Sequence, residues 1–179
     1  IKRIVIKYNG EVSNLEVKPI TNAILKGLFN RSIDGINMVN APFIAKERGI
    51  EVQESTSNEV HEYTSTVQVQ ITSEKEARTV TGSIFGKGDS RIVQLDEYNM
   101  EAVLSKNMLV IKNIDVPGVI GNLGNVLGKN NLNIAGLHLG RQGEADKAVA
   151  IINIDSPPSK EALGELRDIS HIVSVDSVS

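Results

Sequence analysis

The chain has 179 residues, 40% hydrophobic, 23% charged and 3% aromatic, with 19 Lys and Arg against 22 Asp and Glu and neither Cys nor Trp. That length suits one large domain or two small ones with a Val, Ile and Leu core, and the missing Cys excludes disulfides, zinc ribbons, iron–sulfur clusters and thiol nucleophiles. A formal net charge of -3, a pI near 5.7 and so few rings supply neither the basic field nor the stacking platforms of nucleic-acid binders.

In chain order, the apolar alternation from Ile4 to Val17 breaks at Asn9-Gly10, a pair that tolerates positive φ. It predicts two strands joined by a tight hairpin. Pro19 then opens a helix with Ile20, Ile24 and Leu28 at i, i+4 and i+8, ending near Arg31. A second, short helix is expected over 40–49, with Asn40 as cap, Pro42 in its first turn, Lys46 and Arg48 in its last and Gly49 as stop. From Val60 to Thr72 the period becomes two, clearest at Val67, Val69 and Ile71 with Gln68 and Gln70 between, which predicts a strand with one wet face. Two further strands, Arg78 to Phe85 and Arg91 to Tyr98, flank a turn at Gly86-Lys87-Gly88-Asp89. Helices early and strands late make this part α+β.

Near Asn107 the order changes. Met108 to Lys112 is a strand, and Pro117 opens a helix with Val119, Ile120, Leu123, Val126 and Leu127 on one face. Leu132 to Leu139 and Ala148 to Ile154 follow as strands, Pro157-Pro158 introduces a helix ending by Asp168, and Ile172 to Val178 closes the unit. This βαββαβ order is the ferredoxin-like motif. The expected fold class is α+β, in two domains of residues 1–106 and 107–179. No stretch approaches the roughly 18 to 20 apolar residues of a membrane span, and no signal pattern opens the chain, so a soluble, cytoplasmic protein is expected. A start at Ile1, straight into the strand-like Ile4-Val5-Ile6, is what a piece of a longer chain would show.

The helix after Pro117 holds Gly118, Gly121, Gly124 and Gly128, and each glycine inside a helix costs roughly 0.5 to 1 kcal/mol relative to Ala. Either a ligand or another backbone comes close, using the free N–H groups at the helix start for an anion such as a carboxylate, or the helix packs tightly on its own sheet. The spacing is GxxGxxG rather than GxGxxG, which argues against a dinucleotide site, and Gly86-Lys87-Gly88 opens no helix as a phosphate loop would. Asn113 and Asp115 lie just before Pro117, and Asn133 follows the helix. An amino acid presents an ammonium that needs acceptors and a carboxylate that needs donors; Asp115 suits the first, helix N–H groups and Asn side chains the second. Asn113 and Asp115 equally suit the plainer work of ending a strand and capping a helix. His61, His138 and His171 have no partner at i+4, so neither a metal site nor a catalytic residue is expected, and His61-Glu62 splits across the two faces of a strand.

The run Asn113-Ile-Asp-Val-Pro-Gly-Val-Ile-Gly121, with Asn131-Leu-Asn-Ile-Ala135 and Leu139-Gly-Arg141, resembles the ACT domain, a small-molecule sensing module. Lys18-Pro19, Val39-Asn-Ala-Pro-Phe-Ile-Ala-Lys-Glu-Arg-Gly-Ile50, and Gly82-Ser-Ile-Phe-Gly86 with Arg91-Ile92-Val93 are similar to the allosteric-substrate-binding domain that precedes ACT in long-form D-3-phosphoglycerate dehydrogenases. The two motifs stand in the family's order and cover essentially the whole chain.

The resemblance implies the C-terminal regulatory region of a cytoplasmic oxidoreductase of L-serine biosynthesis. Its catalytic and NAD-binding domains would lie upstream in the same chain, and no cofactor would bind in this region. It implies L-serine or another small amino acid held between the ACT domains of two subunits of a homo-oligomer, at Asn113, Asp115 and Asn133, with backbone at Pro117, Gly118 and Val119. Where some relatives carry His or an aromatic ring at the first of these, this chain has Asn113. In the first domain it implies an anionic or phosphorylated effector, for which Lys46, Arg48 and Arg91 are the candidates, Lys as a point charge and Arg as a fork. Each is equally at home as a solvated surface cation. Two other functions stay open at this point: an oligomerisation scaffold without ligand sensing, and a regulatory subunit of an L-serine dehydratase, which resembles the same pairing of domains.

Overall fold

A computed structural model describes every residue except 61, 87 and 142–145, so His61 and the centre of the expected turn at Lys87 lie outside the described residues. The chain divides into two compact units, Ile1–Ile84 and Phe85–Ser179.

In the first unit, β1 (Arg3–Gly10) is the central strand. β2 (Glu51–Ser57) pairs with it in parallel and β3 (Ser65–Thr72) antiparallel, while β4 (Ala77–Phe85) pairs antiparallel with β3. Period-two alternation turns Ile4, Ile6 and Tyr8 to one face, in register with Ile71, Val69 and Val67 of β3. Helices α1 (Lys18–Phe29) and α2 (Ala41–Glu47) close that face with Leu25, Phe29, Ala41 and Ala45. The opposite face is polar, Gln68 donating to Thr81 at 3.3 Å across β3 and β4.

The hairpin expected at Asn9-Gly10 does not form. Gly10 takes φ +77°, and a Cβ there would stand 2.1 Å from the Thr64 carbonyl oxygen, so its freedom serves a close approach to the entry of β3. The chain then winds into a 3-10 turn, Glu11–Asn14, anchored by Val12 N–H donating to Ser65 Oγ at 2.8 Å. On α1 the most buried line is Thr21, Leu25 and Phe29, with Ile20, Ile24 and Leu28 half-buried beside it. Thr21 belongs there because its hydroxyl shares a hydrogen bond with that of Tyr8 at 2.7 Å and another with the Glu54 carboxylate. Asn40 sits at the start of α2 but ties the preceding turn, accepting from Asn37 N–H at 2.8 Å and donating to the Gly35 carbonyl at 3.1 Å. Gly49 ends α2 at φ +65° with its N–H on the Lys46 carbonyl, as the sequence predicts.

The second unit opens with a hairpin, β5 (Asp89–Leu95) and β6 (Tyr98–Val103). Then come β7 (Met108–Ile114), α3 (Val119–Lys129), β8 (Ile134–Arg141), β9 (Lys147–Ile154), α4 (Lys160–Arg167) and β10 (Ile172–Val178). The expected βαββαβ order is present, its strands lying as β10-β7-β9-β8 with antiparallel neighbours. Ala148 to Ile154 is buried throughout because both faces of the sheet are covered. Ala150, Ile152 and Ile154 pack under α3 and α4 with Leu123, Leu127 and Leu166. Val149, Ile151 and Met108 pack against Tyr98, Met100 and Ala102 of the hairpin. At the tip of that hairpin Asp96 takes φ +52° and its carboxylate holds Lys112 of β7 at 3.0 Å. Among the described residues no helix is long and apolar enough to cross a membrane.

Candidate functional site

Where β7 leaves the sheet, a cleft of about 280 Å³ opens between the end of β7, the turn into α3 and the end of β8. Ligand clefts begin near roughly 300 Å³, so the space suits a small molecule. Alternation along β7 points Leu109 and Ile111 into the core, and Asn113 is the last residue of that row. It is therefore 3% exposed yet polar. Its Nδ2 donates to the Ile114 carbonyl at 2.8 Å, while its Oδ1 is buried without a partner among the described residues. A buried acceptor left unpaired costs about 1–3 kcal/mol, which an incoming donor would relieve.

Asp115 is fixed by its backbone, its N–H donating to the Asp146 carbonyl at 2.8 Å. Its carboxylate meets Arg141 from β8, Nε at 2.8 Å from Oδ2 and Nη2 at 3.4 Å from Oδ1. Pro117 and Gly118 make the turn into α3, Gly118 at φ +94° and without a side-chain cap on the helix. The N–H groups of the first helical turn, beginning at Val119, have no intrahelical acceptors. Leu139 and the half-exposed Ile120 add an apolar wall. Two acceptors, a guanidinium and a row of backbone donors thus meet in one small space.

The expected residues distribute as follows. Asn113, Asp115, Pro117, Gly118 and Val119 line this cleft together. Asn133 precedes β8, at the opposite end of that strand from Arg141, and donates to Asp155 at 2.8 Å. Lys46 and Arg48 belong to the first unit, where Arg48 borders a second cavity of about 350 Å³ beside Leu28, Phe29 and Ser32. Arg91 is in the second unit on β5, its guanidinium paired with Asp89 at 2.6 Å and Glu101 at 3.2 Å and lying 4.7 Å from the Phe85 ring centre. The three cations are not gathered within either unit.

Two readings of the glycine-rich helix are sharpened. A Cβ at Gly121, Gly124 or Gly128 would meet nothing within 4 Å, so tight packing on the sheet is not their purpose and their side of α3 is open. The turn into α3 does not fit a dinucleotide either, because antiparallel β9 lies between β7 and β8 and leaves no crevice between parallel neighbours. His138 and His171 stand apart, on β8 and before β10. Among the described residues no group of three acidic or His side chains could hold a metal. Sequence reasoning missed Arg141 and Leu139 as lining residues. The signal was there: positions 139 and 141 share a strand face, and a cation near Asp115 is its natural counter-charge.

Comparison with known families matches residues 1–96 to the D-3-phosphoglycerate dehydrogenase intervening domain and residues 107–171 to the ACT domain. The cleft lies inside the second match. The chain is similar to the D-3-phosphoglycerate dehydrogenase of Archaeoglobus fulgidus, 33% identical over 181 residues, covering 99% of this chain and 34% of the relative. With that of Bacillus subtilis it is 32% identical, covering 98% of this chain and 34% of the relative, and with that of Methanocaldococcus jannaschii 32% identical, covering 98% and 33%. It spans about a third of the length of the curated relatives it matches.

Proposed function

The chain belongs to the D-3-phosphoglycerate dehydrogenase family as its C-terminal regulatory region, an intervening domain followed by an ACT domain, and we propose that the ACT unit senses L-serine at the β7–α3 cleft. The observation that carries this is the meeting of the unpaired Asn113 Oδ1, the Asp115 carboxylate and the open N-terminus of α3 in a space of amino-acid size. An ammonium and a carboxylate on one small ligand match those acceptors and donors.

The site is completed by a second copy. Among the described residues β8 is an edge strand with Ile134, Leu137 and Leu139 exposed, so it offers unpaired backbone groups and apolar side chains to a partner. Two β8 strands pairing antiparallel about their midpoint set Ile134 opposite the partner's Arg141. Asn133, one residue earlier, then reaches the mouth of the partner's cleft. Ligand bound across that seam favours one arrangement of subunits over another, and the coupling is read as a change of catalytic rate.

The rest of such a protein would hold the NAD-binding and catalytic domains of a cytoplasmic enzyme of L-serine synthesis. In the intervening domain the same proposal places an anionic or phosphorylated effector at the Arg48 cavity with Lys46 nearby in sequence, and leaves out Arg91, which is paired with two carboxylates in the second unit.

The test is calorimetric titration and thermal melting of the chain with L-serine, glycine and a phosphorylated three-carbon acid. A ligand at a hundredfold excess over its Kd adds about 2.7 kcal/mol of stability, and Asp115→Ala should abolish the L-serine response. An oligomer that survives Asp115→Ala, with no amino acid altering either protein, would leave a scaffold in place of a sensor.

A further inference from the structure

We infer that Arg141 and Asp115 form an exchangeable ion pair that makes the cleft selective for a zwitterion, the two side chains parting to take the two ends of one α-amino acid. The inference rests on the reading of the cleft as an amino-acid site and names what sets its specificity.

The pair spans the cleft from β8 to the β7–α3 loop, with Nε 2.8 Å from Oδ2. Its side chains are 65% and 29% exposed, and a pair that wet is worth about 0–1 kcal/mol, so it opens at little cost. Its charges cancel. A pure cation reaching Asp115 would displace Arg141 and strand the guanidinium, and a pure anion reaching Arg141 would strand the carboxylate. A ligand with both charges on one carbon strands neither: its ammonium replaces the guanidinium on Asp115, and its carboxylate takes the Arg141 fork with the N–H groups at the start of α3. One ion pair becomes two.

Asn113 points independently to a ligand at this place. Its Nδ2 is committed to the Ile114 carbonyl at 2.8 Å, so the amide is held in one orientation, and its buried Oδ1 lacks a donor among the described residues. A second N–H of the ammonium, or a hydroxyl on the ligand's side chain, satisfies it.

The test uses the 179-residue chain and three probes: L-serine, ethanolamine, which is serine without its carboxylate, and 3-hydroxypropionate, which is serine without its ammonium. Calorimetric titration of the wild type should show L-serine binding at least about tenfold more tightly than either fragment, since each forms only one of the two charge-assisted contacts. Arg141→Ala should weaken L-serine about tenfold or more yet tighten ethanolamine, because Asp115 is then free. Asp115→Asn should do the converse, weakening L-serine and tightening 3-hydroxypropionate. Should either variant misfold, the assigned Arg141 Nε–H resonance of the wild type decides, moving on addition of L-serine with the calorimetric Kd. L-serine affinity unchanged in Arg141→Ala, or a stationary Arg141 resonance at saturation, overturns the exchange while the amino-acid site stands; affinity unchanged in Asp115→Asn overturns both. No heat and no spectral change with any amino acid overturns both this inference and the proposed function.

Discussion

A Cβ at Gly10 would lie 2.1 Å from a backbone oxygen with φ already at +77°, whereas one at Gly121 would meet nothing within 4 Å inside a regular helix. Gly10→Ala should therefore lose at least about 2 kcal/mol in urea denaturation. Gly121→Ala should instead gain about 0.5–1 kcal/mol, because only the unfolded chain loses freedom. Tyr8 gives a pH dependence with a definite sign. Burial pushes its phenol above the ordinary 10.0, the bond with Thr21 opposes this and the Glu54 carboxylate adds to it. Above pH 10 the unfolded chain surrenders the proton first, so the contribution is whole below that pH and is lost as pH rises towards the folded value. Urea melts between about pH 9 and 11 should show stability falling, with a shallower slope in Tyr8→Phe. At this scale Asp115 was legible, because a carboxylate before a glycine-led helix start already suggests an ammonium. Its pairing with Arg141 was not, since that depends on where β8 ends, and the orphaned oxygen of Asn113 depends on which way an amide turns.

Among the elements, those with a complete apolar period were legible and those that borrow their structure from a neighbour were not. β10 runs from Ile172 to Val178 as its alternation predicts, and α3 buries Val119, Leu123 and Leu127 from the expected face. β2 has one apolar residue in Glu-Val-Gln-Glu-Ser-Thr-Ser and is a strand because β1 supplies a parallel ladder to join. β6 escaped notice because its inward residues, Tyr98, Met100 and Ala102, make a varied row, and Ala102 is small enough to read as neutral. β8 is the element on which the proposed assembly turns, with its outer edge unpaired among the described residues. Leu137→Lys puts a charge on that edge and should yield monomers by size-exclusion chromatography with light scattering, with far-ultraviolet dichroism unchanged. If L-serine binds as proposed, its affinity should fall with the dimer, because the proposed site takes Asn133 from the second copy.

For the molecule as a whole, the sequence shows a change of pattern near Asn107, while the compact units meet between Ile84 and Phe85. The difference is the β5–β6 hairpin, which covers Met108, Val149 and Ile151 within the second unit. A fragment of residues 85–179 should fold alone. One of residues 107–179 should lose at least about 3 kcal/mol by denaturant melting and bind hydrophobic dyes, since burying each such side chain is worth about 1.5–3 kcal/mol. The same hairpin lies against the back of the cleft. Leu139 and Arg141 look into the cleft, and Gly140 between them leaves room for the Met100 methyl, the Tyr98 side chain and the Asn99 carbonyl, each within about 3 Å of where a Cβ would stand. A ligand seated in the cleft as proposed would therefore be separated from the hairpin by the thickness of one backbone. Thermodynamic linkage makes that separation a two-way gauge: by whatever factor a ligand restrains the hairpin, a pull on the hairpin alters the ligand's affinity.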